Sequence, residues 1–144
     1  MLGTVTIDGK EYVERYQCFP AQTTITVNGE VQTNLSVVFP GIAGFLLKGL
    51  TREIIVGGFA VARPFRFRFG NSDGSVRYVG GGVGSLSDRV VDTLIFGNGQ
   101  FPFPLIPHVF YTPTGSLLFE VEDISWNVPY TIYFGFHGSF LLPV

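Results

Sequence analysis

The sequence predicts an all-β protein, a two-sheet β-sandwich of jelly-roll-like form, on three observations. Turn dipeptides recur about every ten residues, the segments between them alternate apolar and polar side chains, and no long run carries a helical period with caps. A single domain, residues 1–144, is expected. A chain of this length buries roughly 70% of its unfolded surface and needs no metal or disulfide staple.

The elements follow in order. Asp8-Gly9 separates VTI from EYVERY, and Asn28-Gly29 separates TTITV from EVQTNLSVVF. Both dipeptides signal type I′ hairpins, because both central residues need positive φ. FLLKGLTREII carries Gly49 in its middle and β-branched residues at its end, which favours strand or loop over helix. In RPFRFRFG, Phe65, Phe67 and Phe69 share one face and Arg66 and Arg68 the other. The turn Asn71-Ser-Asp-Gly74 leads to SVRYV, and the glycine-rich VGGGVGSLSD (79–88) reads as a loop. Leu117, Phe119 and Val121 share a face opposite Glu120 and Glu122. The final segment, YTIYFGFHGSFLL, is apolar on both faces, as in a central sandwich strand or a subunit contact.

One stretch resists this scheme. FGNGQFPFPLIPHVFY (96–111) threads Pro102, Pro104 and Pro107 between aromatic and aliphatic residues. Each proline removes a ladder donor, which forbids a central strand, yet the intervening side chains are too apolar to face water. Proline also pre-sets φ, so an extended arm of this kind loses little entropy on docking. The expectation is that residues 100–107 clasp a neighbouring subunit. The residues placed at that interface are Phe101, Phe103, Leu105, Ile106 and Phe110 of the arm, with Tyr130, Tyr133, Phe134 and Phe136 of the final strand. The alternative is an internal crossover covering one end of the chain's own sandwich.

Composition points the same way. Charged residues make up 14% of the chain, against about 25% in a typical soluble domain, and there are 15 phenylalanines. Such a surface is expected to be covered largely by other protein chains. Net charge is −2, so no basic field exists to attract nucleic acid. The most apolar run, GIAGFLLKGL, is too short and too charged for a membrane helix. The prolines inside apolar runs and the lack of a visible signal peptide argue against an outer-membrane barrel. No membrane partner is expected.

Candidate chemistry is sparse. Cys18 is expected to be a small buried hydrophobe. VGGGVGS lacks the lysine of a phosphate loop. His108 and His137 lack metal-ligand spacing, even with Glu122 or Asp123 nearby; His137 is expected to cap a strand edge and His108 to lie at an interface. Ser116, His137 and Asp123 form a triad on paper only, without a nucleophile elbow. Glu120 and Glu122, like Arg66 and Arg68, read as charged strand faces, paired across a sheet or between subunits, rather than as a glycosidase dyad. Asn34-Leu-Ser36 matches a glycosylation sequon, which carries little without a secretory route. No catalytic residue, metal or cofactor is expected.

Several motifs together carry a resemblance. They are Gly97-x-Gly99-x-x-Pro102-Phe103, Ile106-Pro107, Gly115-Ser-Leu-Leu-Phe-x-Val-Glu-Asp-Ile-Ser125 and Tyr130-Thr-Ile-Tyr-Phe-Gly-Phe-His-Gly138. Over roughly residues 45–142 the chain resembles small tailed-bacteriophage virion structural proteins, the capsid decoration, auxiliary or minor capsid proteins. It departs from their pattern where His137-Gly-Ser139 replaces a small-Gly-Tyr ending. The resemblance implies a non-enzymatic β-sandwich located in the virion and made in the host cytoplasm. The resulting expectation is a trimeric head decoration or cement protein contacting itself and the major capsid protein or other virion proteins. The alternative is a neck, tail or tail-fibre module binding carbohydrate or a receptor through an exposed Trp126 and tyrosines.

Overall fold

A computed structural model describes residues 3–39, 44–71, 90–97, 102–113 and 115–144. Its strands are β1 (Thr4–Ile7), β2 (Lys10–Ile25), β3 (Val31–Val38), β4 (Phe45–Val56), β5 (Phe59–Ala60), β6 (Phe65–Asn71), β7 (Val90–Val91), β8 (Phe103–Tyr111), β9 (Ser116–Asp123) and β10 (Tyr130–Pro143). A 3₁₀ turn, Asp92–Leu94, follows β7. The strands form two antiparallel sheets around an aromatic core, so the all-β sandwich stands. Sheet A runs β1-β2-β10-β4-β5, with β8 also on β4; sheet B runs β3-β9-β6-β7.

Strand β10 is the axis of sheet A. It pairs with β2 from Tyr130↔Ile25 to Pro143↔Tyr12 and with β4 from Thr131↔Ile55 to Phe140↔Phe45. The ladder with β4 shifts register between His137 and Gly138. At Gly138 the backbones approach so closely that a Cβ would overlap the Leu46 carbonyl oxygen and the Phe45 ring. Glycine is therefore required at this bulge. Among the described residues Pro20 falls where β2 is an edge, since β1 covers only Lys10–Val13; that is where a strand proline is tolerated.

The alternation in β6 and β9 appears as expected. Phe65, Phe67, Phe69, Leu117, Phe119 and Val121 are buried between the sheets. On the outer face Arg66 Nη1 lies 3.1 Å from Glu122 and Arg68 Nη2 lies 2.9 Å from Glu120, across the registered pairs of the two strands. FLLKGLTREII is strand, within β4. Asp8 and Gly9 both have positive φ, as a two-residue type I′ turn demands. Asn28-Gly29 differs. Only Gly29 of the pair has positive φ, and the turn carries the chain from β2 in sheet A to β3 in sheet B rather than closing a hairpin. The turn at 71–74, SVRYV and VGGGVGSLSD fall wholly or largely outside the described residues.

The proline-rich arm is corrected by the structure. Residues 103–111 form β8, hydrogen-bonded to β4 of the same chain. The prolines are accommodated because β4 is the only strand paired with β8 among the described residues, and because the ladder breaks. Between Val109↔Leu47 and Pro104↔Gly49, residues 105–108 stand opposite Lys48 alone. Leu105 is 0% exposed and packs in the core with Val109 and Tyr111. The phenylalanine surplus is likewise absorbed within the chain. Phe65, Phe67, Phe96, Phe119, Phe134 and Phe136 interlock in one group, with Phe67–Phe96 centroids 4.7 Å apart and Phe119–Phe134 5.3 Å apart. Phe19, Phe39, Phe45, Phe140 and Tyr111 form a second, in which Phe39 stacks on Phe45 at 4.4 Å. Such pairs add about 0.5–1.5 kcal/mol each beyond their buried area.

Two stability measurements follow. Leu105→Ala should destabilise the isolated chain by about 2–5 kcal/mol in denaturant unfolding, the cost of a core cavity; a neighbour-clasping arm would leave that value unchanged. Gly138→Ala should cost about 1–3 kcal/mol or more, because rigid backbone has to yield to the added methyl.

Candidate functional site

Side chains at alternate positions of β2, β4 and β10 project from the outer face of sheet A, away from the core. Register places His137 beside Cys18 and Gly135 beside Thr51. The result is a polar cluster from three strands. His137 Nδ1 lies 2.6 Å from Tyr16 Oη, and its Nε2 lies 2.8 Å from Thr51 Oγ1 and 3.7 Å from Cys18 Sγ. Gly135 makes the room for it: a Cβ there would collide with Thr51 Oγ1 and His137 Nε2. Beside the cluster the surface dips into a shallow cleft of about 240 Å³, bounded also by Glu53 and Tyr133.

The electrostatics keep the cluster neutral. Burial pushes the His137 pKa down, favouring the uncharged imidazole. Burial pushes the Cys18 thiol up, against a smaller opposing hydrogen bond from the Phe136 backbone. The Tyr16 phenol is also raised, by burial and then by Cys18. We assign the phenol O–H as donor to Nδ1, which leaves Nε2–H to donate to Thr51 Oγ1. In that tautomer Nε2 has no lone pair for the thiol proton. The Cys18–His137 pair therefore lacks the arrangement of an activated nucleophile. What it offers is a set of fixed, uncharged hydrogen-bonding groups.

A second polar network sits where the sheets join. Asp123 is nearly fully buried; its Oδ1 accepts from Tyr130 Oη at 2.6 Å and Ser125 N at 3.2 Å, and Oδ2 accepts from Gly29 N at 2.9 Å. Burial alone would raise its pKa. The bonds from Tyr130, Gly29 and Ser125, with the nearby Arg63 charge, outweigh that and hold the carboxyl low. Tyr130 is raised, first by burial and then by the Asp123 bond and charge. Arg52 Nε lies 2.6 Å from the buried Asp92 Oδ2, which ties the 3₁₀ turn to β4. These are structural ties.

Of the residues expected at a subunit interface, Leu105, Tyr130, Phe134 and Phe136 are core residues of this chain. They are corrected on that ground: side chains already enclosed have no surface to offer a neighbour. Phe103 and Ile106 lie on β8, and Phe101 falls outside the described residues. Phe110 is half-buried beside an open cleft of about 710 Å³ that Tyr12, Pro113 and Pro143 also line. Tyr133 is 44% exposed and borders the cleft on the outer face.

Three further expectations change. Cys18 is exposed, on the outward row of β2 rather than inside. His137 lies mid-strand in β10, held by Tyr16 and Thr51, and caps no edge. Trp126 is half-buried and packed against the core, leaving less ring for a ligand. Ser116, His137 and Asp123 are not brought together: Ser116 and Asp123 lie at opposite ends of β9 in sheet B, and His137 lies in sheet A. His108 is exposed on β8. Among the described residues no group of three or more His, Cys, Asp or Glu side chains gathers to hold a metal.

The pKa directions fix a pH dependence. His137 has a folded pKa below its unfolded value near 6.5, so the unfolded chain binds more protons and stability falls as pH drops below about 6.5 toward the folded pKa. Asp123, with a depressed folded pKa, contributes stability above its unfolded value near 3.9, lost as pH falls further. Thermal melts should thus decline in two stages on acidification. His137→Gln should remove the upper stage and Asp123→Asn the lower.

No family model, curated protein or solved structure matches the chain.

Proposed function

We propose that the chain is a non-enzymatic structural protein of a tailed-bacteriophage virion, a head decoration or cement protein that stabilises the shell by bridging subunits through apolar contacts. The observation that carries the reading is the strand order. With β1 and β5 set aside, β2-β10-β4-β8 faces β3-β9-β6-β7. That order supports an eight-stranded jelly-roll reading, an architecture common among viral shell proteins. The sequence motifs of residues 97–138 support the same assignment by resemblance.

With the arm folded into the sandwich, the adhesive surface lies elsewhere. By register, the 26–30, 57–64 and 124–129 connections all emerge at one end of the molecule, where Ile25, Ile55, Tyr130 and Phe65 sit. These connections expose Val27, Phe59, Val61, Ile124 and Val128, and Phe59 is 76% exposed. Apolar residues gathered on loops mark an interaction site more often than a solvent face. Burying one such Phe on a neighbour contributes roughly 1.5–3 kcal/mol, repeated at every copy of a symmetric shell.

Light scattering of the purified protein should give a trimer, and mass spectrometry of purified particles should give a copy number in the hundreds. Phe59→Ser with Ile124→Ser should leave the melting temperature close to wild type and abolish trimer formation or shell binding. A strict monomer that binds no shell, or a copy number of a few per particle, would overturn the decoration role.

A further inference from the structure

We propose that the outer face of sheet A, from the cleft at Tyr133 to Tyr16 on the far side of His137, binds a neutral oligosaccharide. The inference rests on this cleft and not on the virion reading. A sugar chain presents flat C–H faces to aromatic rings and hydroxyls to polar groups, and the cleft supplies both. Tyr16 is 65% exposed, yet its Oη is fixed 2.6 Å from His137 Nδ1. An exposed ring held in this way is a pre-organised platform, so stacking on it costs little side-chain entropy. Tyr133 stands four residues before His137 on β10, about 13 Å along the strand at the usual rise. That separation suits a chain of sugars lying along the sheet rather than a single ring.

The floor between the tyrosines is equally specific. Gly135 carries no side chain, and Thr51 Oγ1 and His137 Nε2 fill the space above it, which makes the floor of the cleft polar. Both imidazole nitrogens are engaged, by Tyr16 and Thr51, so the floor's hydroxyl is that of Thr51, and the imidazole is held uncharged by burial. Glu53 adds a carboxylate that accepts from sugar hydroxyls. Arg52 also borders the cleft, but its guanidinium is engaged 2.6 Å from the buried Asp92. With that charge occupied, the cleft has little to hold a phosphate or sulfate. Its polar floor equally disfavours an apolar peptide.

The test titrates the isotope-labelled protein with neutral oligosaccharides of glucose, galactose, xylose and N-acetylglucosamine at millimolar concentration, followed by amide chemical shifts. At least one should move the signals of Thr51, Tyr133, Gly135 and His137 together. Tyr133→Ala should weaken that binding at least about tenfold, whereas Tyr133→Phe, which keeps the ring, should retain it. Tyr12→Ala, beside the open cleft at the other end, should bind as wild type. No response to any sugar, shifts confined to another surface, or full binding by Tyr133→Ala would overturn the proposal. None of these results bears on trimer formation or shell binding, which are read separately.

Discussion

The constraint on which the molecule depends is that β10 must be satisfied on three sides at once. Both of its edges are hydrogen-bonded, to β2 and to β4, and its inner face carries Tyr130, Ile132, Phe134 and Phe136 into the core. Phe134 alone is within ring contact of Phe65, Phe67, Phe96, Phe119 and Phe136. Sheet B is held over sheet A largely through these rings. The bulge at His137 and Gly138 belongs to the same requirement, since it lets β10 keep its partners while the sheet twists. It also sets the position of the imidazole, so the outer cluster depends on the core.

Much of the fold was legible because it is local. Phenylalanines alternating with arginines in β6, and apolar residues alternating with glutamates in β9, specify which face is buried without reference to any distant residue. Asp8-Gly9 specifies its hairpin in the same way. The failures have a common origin in what lies across the sandwich. Asn28-Gly29 has hairpin chemistry, but the strands it joins belong to different sheets, pinned by Asp123 accepting from Gly29 N. Proline in 102–107 does forbid a central strand. What the sequence does not state is that β4 offers an open edge of the right length, with Gly49 opposite the break.

The candidate site was invisible for a related reason. Tyr16, Cys18, Thr51 and His137 come from three strands, and the hydrogen-bonded tyrosine and histidine are 121 positions apart in sequence. No spacing rule connects them. The one local signal was Gly135, a glycine inside an otherwise bulky strand, which marks close approach or missing bulk. Tyr133 lies in an otherwise apolar strand, and it is the exposed aromatic residue of that strand. Low charge was read as a sign of partner chains, yet the phenylalanines that accompany it are mostly interior. The exposed apolar residues include instead Val27, Phe59, Val61, Ile124 and Val128, gathered at one end.

The chain distance spanned by sheet A governs how the protein is made. Pro143 pairs with Tyr12 and Tyr130 with Ile25, so β2 waits for β10 through the synthesis of more than a hundred residues. Until then the central position of the sheet is vacant, and β2 and β4 present unpaired edges beside uncovered phenylalanine rings. Such a nascent chain is prone to association with its neighbours on the same message. How soon those edges are protected depends on how quickly β10 inserts between two strands that were made long before it.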